Sequence, residues 1–130
     1  MFSRKKSTNK RILIVEDDAL LAQILGKSMD AEGLEAEIVE NGLDVEERVR
    51  KFSPDLIVLD LILPGLDGFA VLEALKQEEK TKNIPVVVVS NLGDVADVKS
   101  VKALGALEHF IKANTEMETI VKFVKKVLKV

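Results

Sequence analysis

The sequence predicts an α/β domain built on a five-stranded parallel sheet with helices on both faces. Residues 12–15, 56–59 and 86–89 are apolar at every position, as strands covered on both sides are. Segments with helical periodicity separate these runs, which favours right-handed crossovers between parallel strands. With 130 residues, the chain is long enough for one hydrophobic core but not for two.

Two weaker strands complete the sheet. Residues 35–39 alternate polar and apolar side chains, which is typical of a half-exposed edge strand. Residues 109–111 form a short candidate near the C-terminus. We therefore predict five strands in all.

Apolar residues at helical spacing predict a helix after each of the first three strands. The first helix contains residues 20–29, and Gly33 follows it where a left-handed cap is favoured. The second covers residues 45–52 and ends before Pro54, because the residue before a proline disfavours the helical conformation. The third begins after Gly68.

Two further helices follow the last two strands. Apolar residues recur every three positions up to Gly105 and predict the fourth helix: Val95, Val98, Val101 and Leu104. The fifth spans residues 117–128, and Thr115 with Glu118 has the spacing of a capping box. Five strand–helix units suit the doubly wound, flavodoxin-like strand order 2-1-3-4-5, in which a crevice opens beyond the carboxyl ends of strands 1 and 3.

Composition excludes several classes of protein. The chain is 47% apolar and 32% charged, so it is neither disordered nor of low complexity. Because it contains no cysteine, disulfides, thiolate metal sites and cysteine nucleophiles are excluded, and we expect a reducing cytoplasm. No stretch approaches 18 consecutive apolar residues, so we expect no membrane insertion.

Charge is distributed unevenly. The net charge is −3, yet the first eleven residues carry +5 without an acid, so the remainder carries −8. We expect residues 1–9 to be a disordered basic arm, although it could contact an anionic partner, and residues 10–130 to form the domain. The acidic balance excludes a uniformly basic nucleic-acid binder. No DNA-binding domain is expected, so any partner would have to bind the surface of this domain itself.

Polar residues follow four of the predicted strands. Because the strands are parallel, we expect these side chains to meet at one edge of the sheet. They are Glu16, Asp17 and Asp18 after strand 1, Asp60 after strand 3, Ser90 after strand 4 and Lys112 after strand 5.

Clustered carboxylates at an apolar sheet edge repel one another and lose hydration, so a cation should neutralise them. Oxygen ligands without His or Cys favour a hard ion, and few carboxylates with room for water favour Mg²⁺. We therefore predict that Glu16, Asp17 and Asp60 bind Mg²⁺. For Asp18, capping of the first helix is the favoured interpretation.

Asp60 interrupts an otherwise apolar stretch, residues 56–63, which marks it as functional. Lys112 would bring an ammonium group to the same edge, where it could pair with Asp60 or with an anion attached to it. Ser90 would supply a hydroxyl donor. The alternatives are a lysine that reaches solvent and an ordinary turn serine.

Four segments together, residues 12–18, 55–68, 85–90 and 105–112, resemble the receiver domain of two-component response regulators. The resemblance covers about residues 10–130. It implies that the chain is not an enzyme beyond accepting a phosphoryl group and slowly losing it.

The resemblance also implies roles for the acidic residues. Asp60 would be the phosphoacceptor, which takes its phosphoryl group from a phosphohistidine on a sensor kinase or a phosphotransfer protein. Asp17 would bind Mg²⁺ directly and Glu16 through water. The backbone carbonyl of Ile62 would be a further ligand.

The remaining roles that the resemblance implies concern the response of the domain to phosphorylation. Lys112 would contact the phosphoryl oxygens, and Ser90 and His109 would be the two switch residues. Their movement would alter the surface of the fourth helix, fifth strand and fifth helix, which would bind a downstream target. The chain could also form a homodimer.

Three residues depart from the family pattern. His109 replaces the usual Tyr or Phe, Ala113 replaces a proline, and Asn91 is bulkier than the small residue expected after Ser90. Because of these departures, a docking module that works without phosphorylation remains the alternative function. A third class, enzymes of the haloacid-dehalogenase type, needs a second aspartate where this chain has Ile62.

Overall fold

The computed structural model describes residues 5–130 of the chain. Five parallel strands form one sheet in the order β2-β1-β3-β4-β5, which confirms the predicted architecture. The strands are β1 (Arg11–Val15), β2 (Glu35–Val39), β3 (Leu56–Leu59), β4 (Val86–Ser90) and β5 (Glu108–Ile111).

Five α-helices follow the strands in turn, as predicted, and two short 3₁₀ turns lie between elements. The 3₁₀ turns are Gly42–Asp44 and Lys112–Asn114. The helices are α1 (Ala19–Ala31), α2 (Val45–Phe52), α3 (Gly68–Gln77), α4 (Val95–Ala103) and α5 (Met117–Leu128).

The core has two layers because successive strand residues point to opposite faces of the sheet. Leu13 and Val15 of β1 pack beneath α2, α3 and α4. Ile12 and Ile14 pack beneath α1 and α5. All four side chains are fully buried, and each contributes about 1.5 to 3 kcal/mol by burial. This double coverage explains the continuous apolar runs.

The turn after α1 depends on Gly33, as the sequence predicts. Its φ is +81°, in the left-handed region that favours glycine. A Cβ at this position would also meet the carbonyl oxygen of Lys6. Gly33 therefore allows both the helix end and the close approach of the N-terminal segment.

The predicted capping box at α5 is wrong. The helix begins at Met117, and the cap residue Glu116 makes no side-chain cap hydrogen bond. Thr115 is extended and lies one residue before this cap position, directly after the 3₁₀ turn. Asp18, in contrast, caps α1, and its Oδ1 accepts from the backbone N–H groups of Leu20 and Leu21.

The predicted basic arm lies partly outside the described residues. Residues 5–9 form no helix or strand, but Lys5 and Thr8 donate backbone hydrogen bonds to the carbonyls of Ala31 and Gly33. Disorder over residues 1–9 stays a prediction. Within residues 5–130, no helix has the length and apolar character needed to span a membrane.

Candidate functional site

The site forms where β1 and β3 end side by side. Val15 and Leu59 are the last register partners of these strands, so Glu16 and Asp60 leave the sheet next to each other. The N–H of Asp60 donates to the carbonyl of Val15 over 3.0 Å. Parallel pairing thus brings together two acids that are 44 positions apart in the chain.

Three carboxylates converge at this edge, as predicted. Oxygen atoms of Glu16, Asp17 and Asp60 all lie within 4.8 Å of one another. Glu16 and Asp60 are 2% and 4% exposed, whereas Asp17 is exposed to solvent. The cluster therefore has a buried base and one accessible side.

Lys112 pairs with the two buried acids. Its Nζ lies 2.7 Å from Oε1 of Glu16 and 2.8 Å from Oδ2 of Asp60. The alternative of a lysine that merely reaches solvent is therefore wrong. The cluster therefore contains three carboxyl groups and one ammonium group.

Burial and pairing act in opposite directions on these groups. Burial raises the pKa of Glu16 above its usual value, and the hydrogen bond from Lys112 only partly offsets this. For Lys112, burial lowers the pKa, but the hydrogen bonds to Asp60 and Glu16 outweigh burial and leave the pKa raised. The lysine therefore stays charged beside the acids.

Both oxygens of Asp60 are held. Oδ2 accepts from Lys112, and Oδ1 accepts from the backbone N–H of Ile62 over 3.2 Å. The side chain of Ile62 is 54% exposed. Its carbonyl as a metal ligand stays a prediction, whereas its N–H clearly orients the carboxylate.

Ser90 lies at the end of β4 and is fully buried. Its Oγ accepts a hydrogen bond from the backbone N–H of Leu92 over 3.3 Å. Within residues 5–130, its hydroxyl donates to no other group. The hydroxyl hydrogen is therefore available to an acceptor.

His109 is 9% exposed, so the alternative of an exposed strand histidine is wrong. Its Nε2 lies 2.7 Å from the carbonyl oxygen of Leu92. The imidazole thus already lies inside the domain, against the loop that follows β4.

Sequence reasoning missed one contact at the edge of the site. The backbone N–H of Ala113 donates to Oδ1 of Asn91 over 3.2 Å. A proline at this position would have no N–H to donate. Asn91 and Ala113, which both depart from the family pattern, are therefore hydrogen-bonded to each other. The sequence signal that could have indicated this contact is the combination of a backbone N–H in place of a proline with an amide side chain in place of a small residue.

Comparison with known proteins identifies the family and the fold. A family model for the response regulator receiver domain matches residues 12–125. The chain belongs to this receiver family. The haloacid-dehalogenase alternative is therefore wrong.

Relatives of this receiver domain differ in size. It is 36% identical over 104 residues to the sporulation initiation phosphotransferase F of Bacillus subtilis, covering 80% of this chain and 82% of that protein. It is 34% identical to the DNA-binding dual master transcriptional regulator RpaA of Synechocystis, covering 67% of this chain and 36% of that regulator. The receiver domain thus spans most of the first relative and about a third of the second.

Solved structures share the receiver fold. A response regulator from Chloroflexus aurantiacus superposes with a TM-score of 0.85 at 27% identity, covering 93% of this chain and 98% of that one. The Mn²⁺-bound form of response regulator Rcp1 superposes with a TM-score of 0.79 at 27% identity, covering 90% of this chain and 92% of that one. The phosphorylated cyanobacterial phytochrome response regulator RcpA superposes with a TM-score of 0.76 at 28% identity, covering 91% of this chain and 90% of that one.

Proposed function

We propose that this receiver domain is a phosphorylation-dependent signalling switch. Asp60 accepts a phosphoryl group from a phosphohistidine of a sensor kinase or phosphotransfer protein, and the modified domain changes its binding to partners. The observation that carries this proposal is the carboxylate of Asp60, held by Lys112 and the N–H of Ile62 beside two further acids.

The transfer needs no general base, because an ionised carboxylate is itself the nucleophile. An oxygen of Asp60 forms a bond to phosphorus as the phosphorus–nitrogen bond breaks. The electron pair of that bond stays on the imidazole nitrogen, which takes up a proton. Lys112 stabilises the phosphoryl oxygens electrostatically, and the Ser90 hydroxyl donates to one of them.

The carboxylates fit a divalent ion, since three of them converge beside a single ammonium group and their donor atoms are all oxygen. We propose that Glu16, Asp17, Asp60 and the carbonyl of Ile62 hold Mg²⁺, Glu16 through water. Bound Mg²⁺ would neutralise charge on the transferring phosphoryl group. The relative Rcp1 has been crystallised with Mn²⁺.

The response to phosphorylation runs through Ser90 and His109 to the surface formed by α4, β5 and α5. We propose that this surface binds a downstream protein target or a second copy of the chain. The chain acts on no separate substrate and catalyses only its own phosphoryl gain and slow loss. A relative, RcpA, has been crystallised in a phosphorylated form. A cytoplasmic location stays a prediction.

The competing function is a docking module that works without phosphorylation. One observation favours it: His109 is already inside the domain and bonded to Leu92 with Asp60 unmodified. A switch residue that starts in the inward position has less distance to move.

Intact-mass spectrometry separates the two functions. We would incubate the protein with Mg²⁺ and acetyl phosphate and compare it with Asp60→Asn and Asp67→Asn. Asp67 caps α3 through its side chain, and asparagine caps as well, so the second variant controls for a lost acid. A single phosphoryl adduct in the parent and Asp67→Asn, but not in Asp60→Asn, supports the switch. No adduct in a folded parent supports the docking module.

A further inference from the structure

The loop that follows Ser90 is attached to β5 and the turn after it at three successive residues. Asn91 accepts from the N–H of Ala113, and Leu92 is bonded to His109 through its carbonyl. Gly93 lies so close to β5 that a Cβ would meet the Ile111 side chain. These three contacts therefore restrain the loop in the unmodified protein.

The contact between His109 and Leu92 defines the hydrogen position on the ring. A carbonyl oxygen only accepts, so Nε2 carries the hydrogen. Nδ1 is buried and has no partner within the described residues. The ring therefore contacts the loop through Nε2 as a donor. A phenylalanine ring could fill this space but could not donate.

The backbone of Leu92 connects this bond to Ser90 through the two peptide groups on either side of its Cα. Its carbonyl accepts from His109, and the N–H of the same residue donates to Oγ of Ser90 over 3.3 Å. Fixing the carbonyl limits movement of the residue that holds the hydroxyl oxygen. Because Oγ is used as an acceptor, the hydroxyl hydrogen stays free for another acceptor.

We propose that His109 and Asn91 form a loop clamp that positions the Ser90 hydroxyl before phosphorylation. His109 acts through Leu92, and Asn91 acts by tying the loop to Ala113. Both are positioning residues, and neither contacts the reacting atoms. The effect on phosphoryl transfer rests on the proposed function, whereas the effect on the loop does not.

The clamp can be tested with paired variants. His109→Phe and Asn91→Ala remove the two bonds. His109→Gln keeps a nitrogen donor the same number of bonds from the backbone, and Asn91→Asp keeps an oxygen acceptor. The transition temperature of each variant verifies that the domain is folded.

The first readout is amide hydrogen exchange, measured by NMR on the unphosphorylated protein. We expect the Leu92 amide to exchange about 3- to 10-fold faster in His109→Phe and Asn91→Ala, the range for loss of one hydrogen bond. His109→Gln and Asn91→Asp should remain within about 2-fold of the parent. Unchanged exchange in the first pair, or equally fast exchange in the second, overturns the clamp.

The second readout is the rate of phosphoryl gain from acetyl phosphate with Mg²⁺. We expect about a 3- to 10-fold slower rate in His109→Phe and recovery in His109→Gln, because only positioning of a donor is lost. A phosphorylated parent with equal rates in both variants overturns the clamp and leaves the proposed function intact. A parent that takes no phosphoryl group overturns the proposed function, and amide exchange still decides the clamp.

Discussion

Nζ of Lys112 lies 2.8 Å from Oδ2 of Asp60, although the two residues are 52 positions apart in the chain. The same ammonium group lies 2.7 Å from Glu16. One lysine thus supports two buried carboxylates at the edge of an apolar sheet. This arrangement stabilises the unmodified site and provides a cation for a phosphoryl group.

Replacing Lys112 with methionine should destabilise the protein. Glu16 and Asp60 would remain buried without their cation, which should lower the free energy of unfolding by about 2 kcal/mol at neutral pH. Lys112→Arg keeps the positive charge and should lower the free energy of unfolding by less. Urea unfolding measures the difference. Added Mg²⁺ should reduce the loss in Lys112→Met, and a variant as stable as the parent would show that the ion pairs contribute nothing.

Divalent ions should stabilise the folded protein through the accessible carboxylate. At a Mg²⁺ concentration tenfold above the dissociation constant, the free energy of unfolding should rise by about 1.4 kcal/mol. Asp17→Asn should abolish most of this gain. Asp18→Asn removes the same charge one residue away and keeps the α1 cap, so it should retain the gain. Thermal unfolding with Mg²⁺ or EDTA gives the comparison, and equal responses in both variants would count against the predicted ligands.

Glu32 should provide pH-dependent stability. The hydrogen bond from Lys125, 2.6 Å away, and that from Lys5 lower the pKa of Glu32 below its ordinary 4.5. A lowered folded-state pKa contributes stability that is present above 4.5 and is lost as pH falls through the folded value. Glu32→Gln should therefore cost about 0.5 to 1 kcal/mol at neutral pH.

Unfolding curves from neutral to acid pH measure this effect. The curves of parent and Glu32→Gln should converge below the lowered pKa of Glu32. Glu118→Gln breaks a more exposed pair with Lys122 on α5, which solvent screens more strongly, so its stability should stay closer to that of the parent than the stability of Glu32→Gln does. A difference in the free energy of unfolding between the parent and Glu32→Gln that persists at acid pH would contradict the assignment of this pH dependence to Glu32.

Two glycine substitutions should have opposite effects. Alanine usually stabilises a helix relative to glycine by about 1 kcal/mol. At Gly26 in α1, the nearest atom to a Cβ would be 3.7 Å away on Ile38, so Gly26→Ala should stabilise. At Gly68 in α3, a Cβ would meet the backbone of Asp60 and Leu61. Gly68→Ala should therefore cost about 1 to 3 kcal/mol.

The Gly68 substitution should also affect chemistry, because the backbone it displaces carries Asp60. Phosphoryl gain from acetyl phosphate should be slower in Gly68→Ala and unchanged in Gly26→Ala. Chemical denaturation and intact-mass time courses supply both measurements. A Gly68→Ala protein that is as stable and as fast as the parent would mean that this contact is unimportant.

Much of the fold could be predicted because burial on both faces of a sheet leaves a direct pattern. Residues 56–59 are apolar without alternation, and the polar residue that follows marks the strand end. Given parallel strands, the meeting of Glu16 with Asp60 then follows from topology. Lys112 was predictable at the same edge, although its simultaneous bonds to both acids were not.

The remaining errors and omissions concern the last strand, the loops beside it and the start of α5. A histidine in a short strand is compatible with either burial or exposure, so the inward position of His109 needed the structure. The contact between Asn91 and Ala113 depends on the paths of two loops, which hydrophobic periodicity does not describe. The capping box at Thr115 was wrong because α5 begins at Met117, which places the cap at Glu116.

The central claim is that the phosphoryl group is attached to Asp60 and to no other residue. After treatment with acetyl phosphate and Mg²⁺, borohydride reduces an aspartyl phosphate to homoserine, and peptide mass spectrometry locates it. We predict homoserine at position 60 alone and none when the donor is left out. Homoserine at another aspartate, or its absence from a protein that carries the phosphoryl adduct, would contradict the account.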